Sequence, residues 1–356
     1  MLSCLIAVNK LKPVVPASFL TLSWVPFATF SLGMNAVRCL LTKKIFTKLD
    51  NMLYSAYLRT CLFIFENVSG VQIYFYGDYK ALVSKQESAI ILSNHQSDTD
   101  WAAILMLASR QADGEHMLRV MVKDVIRFAP LFGWYIYQHG FIYVRRFKKF
   151  VLAPVQRQLK FLGSLGEPFW LLIFPEGTRF SPKKKEVIKS SQEYCINNGY
   201  PFDSVLFPRA FGFLTSVHEM RHTLEAVYDI TIAYGQARLR QAPNMFEFVC
   251  GTESAKHYRS IHFHIRRFSI NEIPKGDEDV KKWLAERYIY KNSILEDFYN
   301  GKGLPDLVVA DTFPPACFFF CCILTSAFFT IPRRIFITTV ISSPLLILWL
   351  KIRRAF

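Results

Sequence analysis

Ala89-Ile90-Ile91-Leu92-Ser93-Asn94-His95-Gln96-Ser97-Asp98-Thr99-Asp100-Trp101 passes from a short apolar run through a polar turn into a second apolar stretch. An apolar run this short, bounded by turn formers, reads as a buried strand, and Trp101–Ser109 carries helical periodicity. A strand-to-helix junction is where α/β folds display reactive groups, and helix N-termini favour anions. On one continuous helix His95 and Asp100 would point about 140° apart. They can meet only if His95 lies in the turn before the helix, a turn that Asn94, Ser97 and Asp98 favour. An aspartate holding one imidazole nitrogen leaves the other as a base facing a substrate hydroxyl. With 8 His and 13 Asp in the chain, a His-x4-Asp spacing arises by chance about 0.3 times, so the spacing needs support from other segments.

Outward from this junction, short apolar runs alternate with amphipathic stretches from about residue 49 to 300, the pattern of an α/β domain. Strands are expected at 71–76, 89–93, 117–122, 141–144, 169–174, 205–207, 227–234 and 260–268. Helices are expected at 101–109, 150–162, 187–197 and 278–299, the last carrying Val280, Trp283, Leu284, Ile294, Leu295 and Phe298 in apolar clusters, with Asp277 to cap its start. The expected fold class is α/β, a central mostly parallel or mixed β-sheet flanked by helices, with membrane-embedded helices at both ends.

Two of these strands end in cations. Gly140-Phe141-Ile142-Tyr143-Val144 runs into Arg145-Arg146, and Phe169–Phe174 runs into Pro175-Glu176-Gly177-Thr178-Arg179. The planar guanidinium fork donates two hydrogen bonds to phosphate oxygens. Gly177 would let the backbone approach closely, and Thr178 adds a hydroxyl. The run Lys183–Glu186 reads as a solvated turn. His262 and His264 share one strand face but have no further ligands to make a metal site, so no metal is expected. His139, next to Gly140, reads more readily as a packed or exposed histidine. Cys195 and Cys250 have no evident activating partner and read as core residues.

The ends of the chain set its surroundings. Pro13 to Val37 is uncharged, long enough to span a bilayer, with Pro26 leaving a hairpin as a second geometry. Thr312 to Pro332 is also uncharged, and Ile335 to Leu350 follows after Arg333 and Arg334. Residues 1–48 thus read as an N-terminal membrane anchor, 49–300 as the catalytic domain and 301–356 as a C-terminal hydrophobic hairpin or anchor. Lys10 and Lys12 precede the first segment while Arg38, Lys43, Lys44 and Lys48 follow it, which places the central region in the cytoplasm. A net charge of +15, 33 Phe and 51% hydrophobic residues, with a mean hydropathy of +0.19, favour a lipid surface as the anionic partner. Nucleic-acid binding would explain the charge, but no such module is present. Eight Cys without a CxxC pair or regular spacing argue against a disulfide framework or zinc site and fit a reducing or membrane-buried setting.

His95-x4-Asp100, Gly140 through Arg146, Phe174-Pro175-Glu176-Gly177-Thr178-Arg179 and Val205-Leu206-Phe207-Pro208 follow the order and approximate spacing of the four blocks of the glycerophospholipid acyltransferase family, which the chain resembles over residues 60 to 300. The similarity lies with the branch of 1-acylglycerol-3-phosphate acyltransferase epsilon and lysocardiolipin acyltransferase. Glu66-Asn67, Gly70-Val71-Gln72-Ile73 and Asn94-His95-Gln96-Ser97 look most like the epsilon type, and Ile261-His262-Phe263-His264 more like the lysocardiolipin type. Arg209 stands after Pro208 where many members have an aliphatic residue. The resemblance implies that His95, oriented by Asp100, takes the proton of a lysophospholipid hydroxyl, which attacks the thioester of acyl-CoA with no acyl-enzyme. It implies that Arg146, Glu176, Gly177, Thr178 and Arg179 bind the glycerol-phosphate part and that Pro208 belongs to the lipid pocket, with Asn94, Gly140 and Arg145 as weaker candidates. The implied reaction is acylation of 1-acyl-sn-glycerol-3-phosphate (lysophosphatidic acid) to phosphatidic acid. The alternatives are a lysocardiolipin or other lysophospholipid acyltransferase, or a non-catalytic membrane protein that binds acidic lipid. Acyl-CoA is a co-substrate, and no cofactor, nucleic acid or obligate protein partner is expected. The expected location is the endoplasmic reticulum membrane, with the mitochondrial outer membrane or nuclear envelope as alternatives.

Overall fold

The structure, a computed structural model, describes residues 14–68, 71–129, 132–145, 152–200, 202–235, 242–250 and 260–309, together with 330 and 334. In chain order the elements are α1 (Val14–Ala36), α2 (Lys43–Phe63), β1 (Gln72–Gly77), α3 (Tyr79–Ser84), β2 (Ala89–Ser93), α4 (Asp100–Ala108), β3 (Leu118–Lys123), α5 (Phe132–Gln138) and β4 (Ile142–Val144). They continue with α6 (Leu152–Gly163), β5 (Trp170–Ile173), α7 (Lys185–Asn197), α8 (Phe211–Met220), β6 (Ala226–Tyr234), α9 (Met245–Cys250), β7 (Ser260–Ser269), α10 (Asp277–Tyr299) and β8 (Leu307–Val309).

The eight strands form one mixed sheet in the order β4-β3-β5-β2-β6-β7-β1-β8. From β4 to β6 all neighbours are parallel; β7 pairs antiparallel with β6 and parallel with β1. Strand β2 lies at the centre and every residue in it is buried, which is why its sequence reads as a continuous apolar run rather than an alternating one. Its side chains still alternate between two cores. Ala89 and Ile91 pack with α2 and α4, whereas Ile90 and Leu92 pack with α6, α8 and α10. Helix α4 is buried all round from Ala102 to Ala108, as a helix apolar on every face requires. The strand expected at 205–207 is absent. There, Leu206 N–H goes to Glu176 Oε2 (3.1 Å) and Phe207 N–H to Ser191 Oγ (2.9 Å), so side chains take the donors a ladder would have used.

The uncharged N-terminal segment forms α1, a helix that continues through Pro26. One face is packed: Phe27 stacks on Tyr57 at 4.6 Å and meets Tyr135 edge-on at 4.6 Å, and Trp24 lies 5.5 Å from Phe132. Leu22 and Phe30 on the same helix are exposed. Among the described residues no helix is long and apolar enough to cross a membrane. The C-terminal hydrophobic block, 312–332 and 335–350 with Arg333 and Arg334 between, lies outside the described residues apart from 330 and 334.

Candidate active site

The site grows from the carboxyl end of β2. Asn94 prolongs the pairing with β6 through its side chain, accepting Ile232 N–H (2.8 Å) and donating to Ile232 O (2.9 Å). The chain then turns, and Asp100, first residue of α4, reaches back into the turn it follows. Its Oδ2 accepts Gln96 N–H (2.8 Å), Ser97 N–H (2.9 Å) and the His95 Nδ1 proton (2.8 Å), and its Oδ1 accepts the Tyr234 hydroxyl (2.6 Å). Burial pushes the Tyr234 phenol far up, so it stays a donor. A carboxylate only accepts, so Nδ1 carries a proton, and in the neutral ring Nε2 is the nitrogen that holds the lone pair. The His95 ring lies against Phe174, centroids 4.2 Å apart.

Glu176 joins the motif segments. Its Oε1 accepts His95 N–H over 2.7 Å and its Oε2 accepts Leu206 N–H over 3.1 Å. Burial pushes its carboxyl up to about 8, against the pull of these two amides and of Lys291. Two main-chain bonds tighten the assembly: Phe180 N–H to His95 O (2.7 Å) and Arg209 N–H to Pro175 O (2.8 Å). Gly177 sits at φ +70° in this turn, a conformation that favours glycine.

His95 opens onto a cavity of about 410 Å³. Its polar lining comes from carboxyl ends of parallel strands: His95 and Asp98 after β2, Lys123 at the end of β3, Thr178, Arg179 and Lys184 after β5. Its apolar lining includes Tyr57 and Leu58 of α2, Val120 of β3, and Phe132 and Ile136 of α5. Arg179 Nη1 pairs with Asp98 Oδ2 at 2.9 Å, and Lys184 Nζ donates to Thr178 Oγ1 over 2.5 Å. A cavity that is mostly apolar with a few converging polar groups suits a lipid with a charged head.

Not every residue expected in the site lies there. Both oxygens of Glu176, expected among the glycerol-phosphate ligands, are taken by main-chain amides, and the residue is buried. Glu176 and Pro208 line a second cavity of about 920 Å³, which shares Thr178 with the first. Arg145 pairs with Asp124 at 3.2 Å and lines neither cavity. Gly140, at φ +100°, sits in the turn between α5 and β4 and lines neither cavity. Arg146 lies outside the described residues. His139 forms a second His–Asp pair, Nδ1 to Asp50 Oδ2 at 3.0 Å, yet its side chain is only 2% exposed against 18% for His95. His262 bonds Tyr76 and Ser260, and among the described residues no group of three metal-binding side chains forms. Sequence reading missed Tyr234, Lys123 and Lys184. The last sits in the charge run taken for a solvated turn, where its six-residue distance from Thr178 was the available signal.

The family profile described as Acyltransferase matches residues 76–235, and the one described as Acyltransferase C-terminus matches 255–341. The chain is 36% identical to the 1-acyl-sn-glycerol-3-phosphate acyltransferase epsilon of Mus musculus, over 79% of this chain and 75% of that protein. The chain belongs to the glycerophospholipid acyltransferase family. This acyltransferase is also 28% identical to a probable 1-acyl-sn-glycerol-3-phosphate acyltransferase 5 of Arabidopsis thaliana, over 80% of this chain and 72% of that one. Against lysocardiolipin acyltransferase 1 of Mus musculus it is 27% identical, over 87% and 74%. Among solved structures, the 1-acyl-sn-glycerophosphate acyltransferase of Thermotoga maritima aligns with it at TM-score 0.47 and 17% identity, covering 81% of this chain and 98% of that chain.

Proposed function

We propose that this acyltransferase moves an acyl group from acyl-CoA to the sn-2 hydroxyl of 1-acyl-sn-glycerol-3-phosphate, giving phosphatidic acid and free coenzyme A. The observation that carries this reading is the His95–Asp100 pair, 2.8 Å apart, opening onto a cavity that also holds Arg179. Nε2 of His95 takes the hydroxyl proton as the oxygen bonds to the thioester carbonyl carbon. The tetrahedral adduct then expels the thiolate, breaking the carbon–sulfur bond, and the proton passes from the imidazolium to the leaving sulfur. Asp100 holds the ring in the required tautomer and offsets the charge that forms on it. Arg179, Lys123 and Lys184 face the cavity as cations suited to the phosphate.

Lysophosphatidic acid as acceptor is supported by 36% identity to the mouse 1-acyl-sn-glycerol-3-phosphate acyltransferase epsilon, against 27% to the mouse lysocardiolipin acyltransferase 1. The uncharged segments 13–37 and 312–332 and the cations that follow the first support an integral protein of the endoplasmic reticulum membrane with its catalytic domain towards the cytoplasm. One acyl-CoA offered with a panel of lysolipids tests the reading, wild type beside His95→Ala. Fastest turnover with lysophosphatidic acid, lost in the variant, is the expected result. Preference for monolysocardiolipin would move the enzyme to the remodelling branch, and retained turnover in His95→Ala would remove the base.

A further inference from the structure

Four polar side chains of α10 reach the segments that build the site. Tyr288 donates its hydroxyl proton to Ser93 O over 3.2 Å. Lys291 Nζ lies 2.6 Å from Asp229 Oδ1 and donates to Ile230 O (2.5 Å) in the middle of β6 and to Leu92 O (3.3 Å) near the end of β2. Asn292 Oδ1 accepts Asp203 N–H (2.9 Å) and Ser204 N–H (2.7 Å), two residues before the Leu206 amide that Glu176 holds. Tyr299 donates to Gln96 Oε1 over 3.0 Å, beside His95. At about 100° per residue, positions 288, 291, 292 and 299 fall within one sector of the helix.

Packing does not call for their polar atoms. Val280, Leu284 and Leu295 share the core with the Tyr288 ring, and the Tyr299 ring packs against it, whereas a fully buried ammonium is costly unless its protons are matched. Here three oxygens match it, two of them main-chain carbonyls of the strands from which the catalytic turn and the Tyr234 strand-end emerge.

The geometry points to the inner face of α10 as the element that positions the catalytic turn: Tyr288, Lys291 and Tyr299 fix the β2 end and Gln96, and Asn292 fixes the 203–206 segment through which Glu176 holds the His95 amide. This rests on His95 being the base of the acyl transfer proposed above. These are positioning residues, since each acts through main chain or through Gln96, and they assign a role in the reaction to the C-terminal profile region. A shift of about 1 Å in a base can cost on the order of 100-fold in rate.

Tyr288→Phe and Tyr299→Phe remove one hydroxyl each and keep the rings, so they test the idea without emptying the core. With acyl-CoA and lysophosphatidic acid varied in turn, each should lower kcat about 10-fold and the pair on the order of 100-fold, the scale of a small misplacement of the base. Both KM values and the thermal unfolding midpoint should stay unchanged. Lys291→Met should lower kcat further; the tyrosine pair carries the test alone if that variant does not fold. A double tyrosine variant with kcat within twofold of wild type overturns the inference. So does a loss of kcat that comes with a raised KM or a matching fall in the midpoint, the signature of a purely structural role. A wild type that transfers nothing from acyl-CoA to any lysophospholipid overturns the proposed reaction and this inference with it, whereas an active wild type with indifferent tyrosine variants overturns only the latter.

Discussion

His95 donates its main-chain N–H to Oε1 of Glu176 over 2.7 Å, so the residue proposed as the base is held through its backbone by the motif that follows β5. The other carboxyl oxygen holds Leu206 N–H. A glutamine in this place offers one acceptor and turns an NH2 group towards the second amide. Glu176→Gln should therefore lower kcat on the order of 100-fold, the cost of a shifted base, while the KM for lysophosphatidic acid changes little. Steady-state kinetics in detergent check this; a raised KM with intact kcat would return Glu176 to the headgroup.

The same residue gives a pH signature. Burial raises the native Glu176 carboxyl from its ordinary 4.5 to about 8. Between those values the native state keeps a proton that the unfolded chain has released, so this group's stabilisation is complete below about 4.5 and is lost as pH rises through about 8. Its contribution declines by at most about 1.4 kcal/mol per pH unit, the value for one proton. Subtracting Glu176→Gln from wild type isolates this slope from other titrating groups. Denaturant unfolding at pH 5, 6, 7 and 8 should show the wild type losing ground steadily against the variant, and a constant difference would contradict a raised carboxyl.

Much of this site is legible in the sequence because it is local. The run from Ala89 to Trp101 contains the buried strand, the turn formers and the aspartate that folds back on His95, all within 13 residues. What escaped was long-range or ambiguous. Tyr234 reaches Asp100 across 134 residues, and nothing in a strand's alternation says which residue its last side chain will meet. Helix α2 went unread because Lys43, Lys44 and Lys48 look like the flank of an anchor. Thr42, whose hydroxyl accepts Ile45 N–H at 3.3 Å, and the buried series Phe46, Asp50, Tyr54 and Leu58 were its available cap and period. Segment 205–207 has β-like composition, yet Glu176 and Ser191 take the amides that a strand would need.

Arg179 faces the cavity but is paired with Asp98, both half-exposed. An incoming phosphate carries more charge and offers the guanidinium a better-matched set of oxygens. Arg179→Ala should raise the KM for lysophosphatidic acid roughly 10- to 100-fold with kcat within a few-fold, one charge-assisted contact being worth about 1.5–3 kcal/mol. Asp98→Asn keeps an oxygen for the Met245 amide it accepts at 2.9 Å while releasing the arginine, so the same KM should fall. Acceptor titrations at fixed acyl-CoA measure both, and KM values moving together in the two variants would contradict the exchange.

At the opposite end of β2, stability rests on Glu87. This buried carboxylate accepts Arg267 Nε and Nη2, each at 2.8 Å, and the Tyr228 hydroxyl at 2.5 Å. Burial alone would raise its pKa, but Arg267, Tyr228 and Lys85 bring it down to about 2. The group therefore stabilises the fold fully above about 4.5, and the contribution is lost as pH falls through about 2. Arg267→Met should destabilise by roughly 3 kcal/mol, because it leaves a buried carboxylate without its fork. Arg267→Met combined with Glu87→Leu should recover much of that loss, since an apolar pair strands no charge. Urea unfolding at pH 7 of the three proteins decides it. A double variant no more stable than Arg267→Met would mean that packing at this strand end, rather than the unpaired charge, sets the cost.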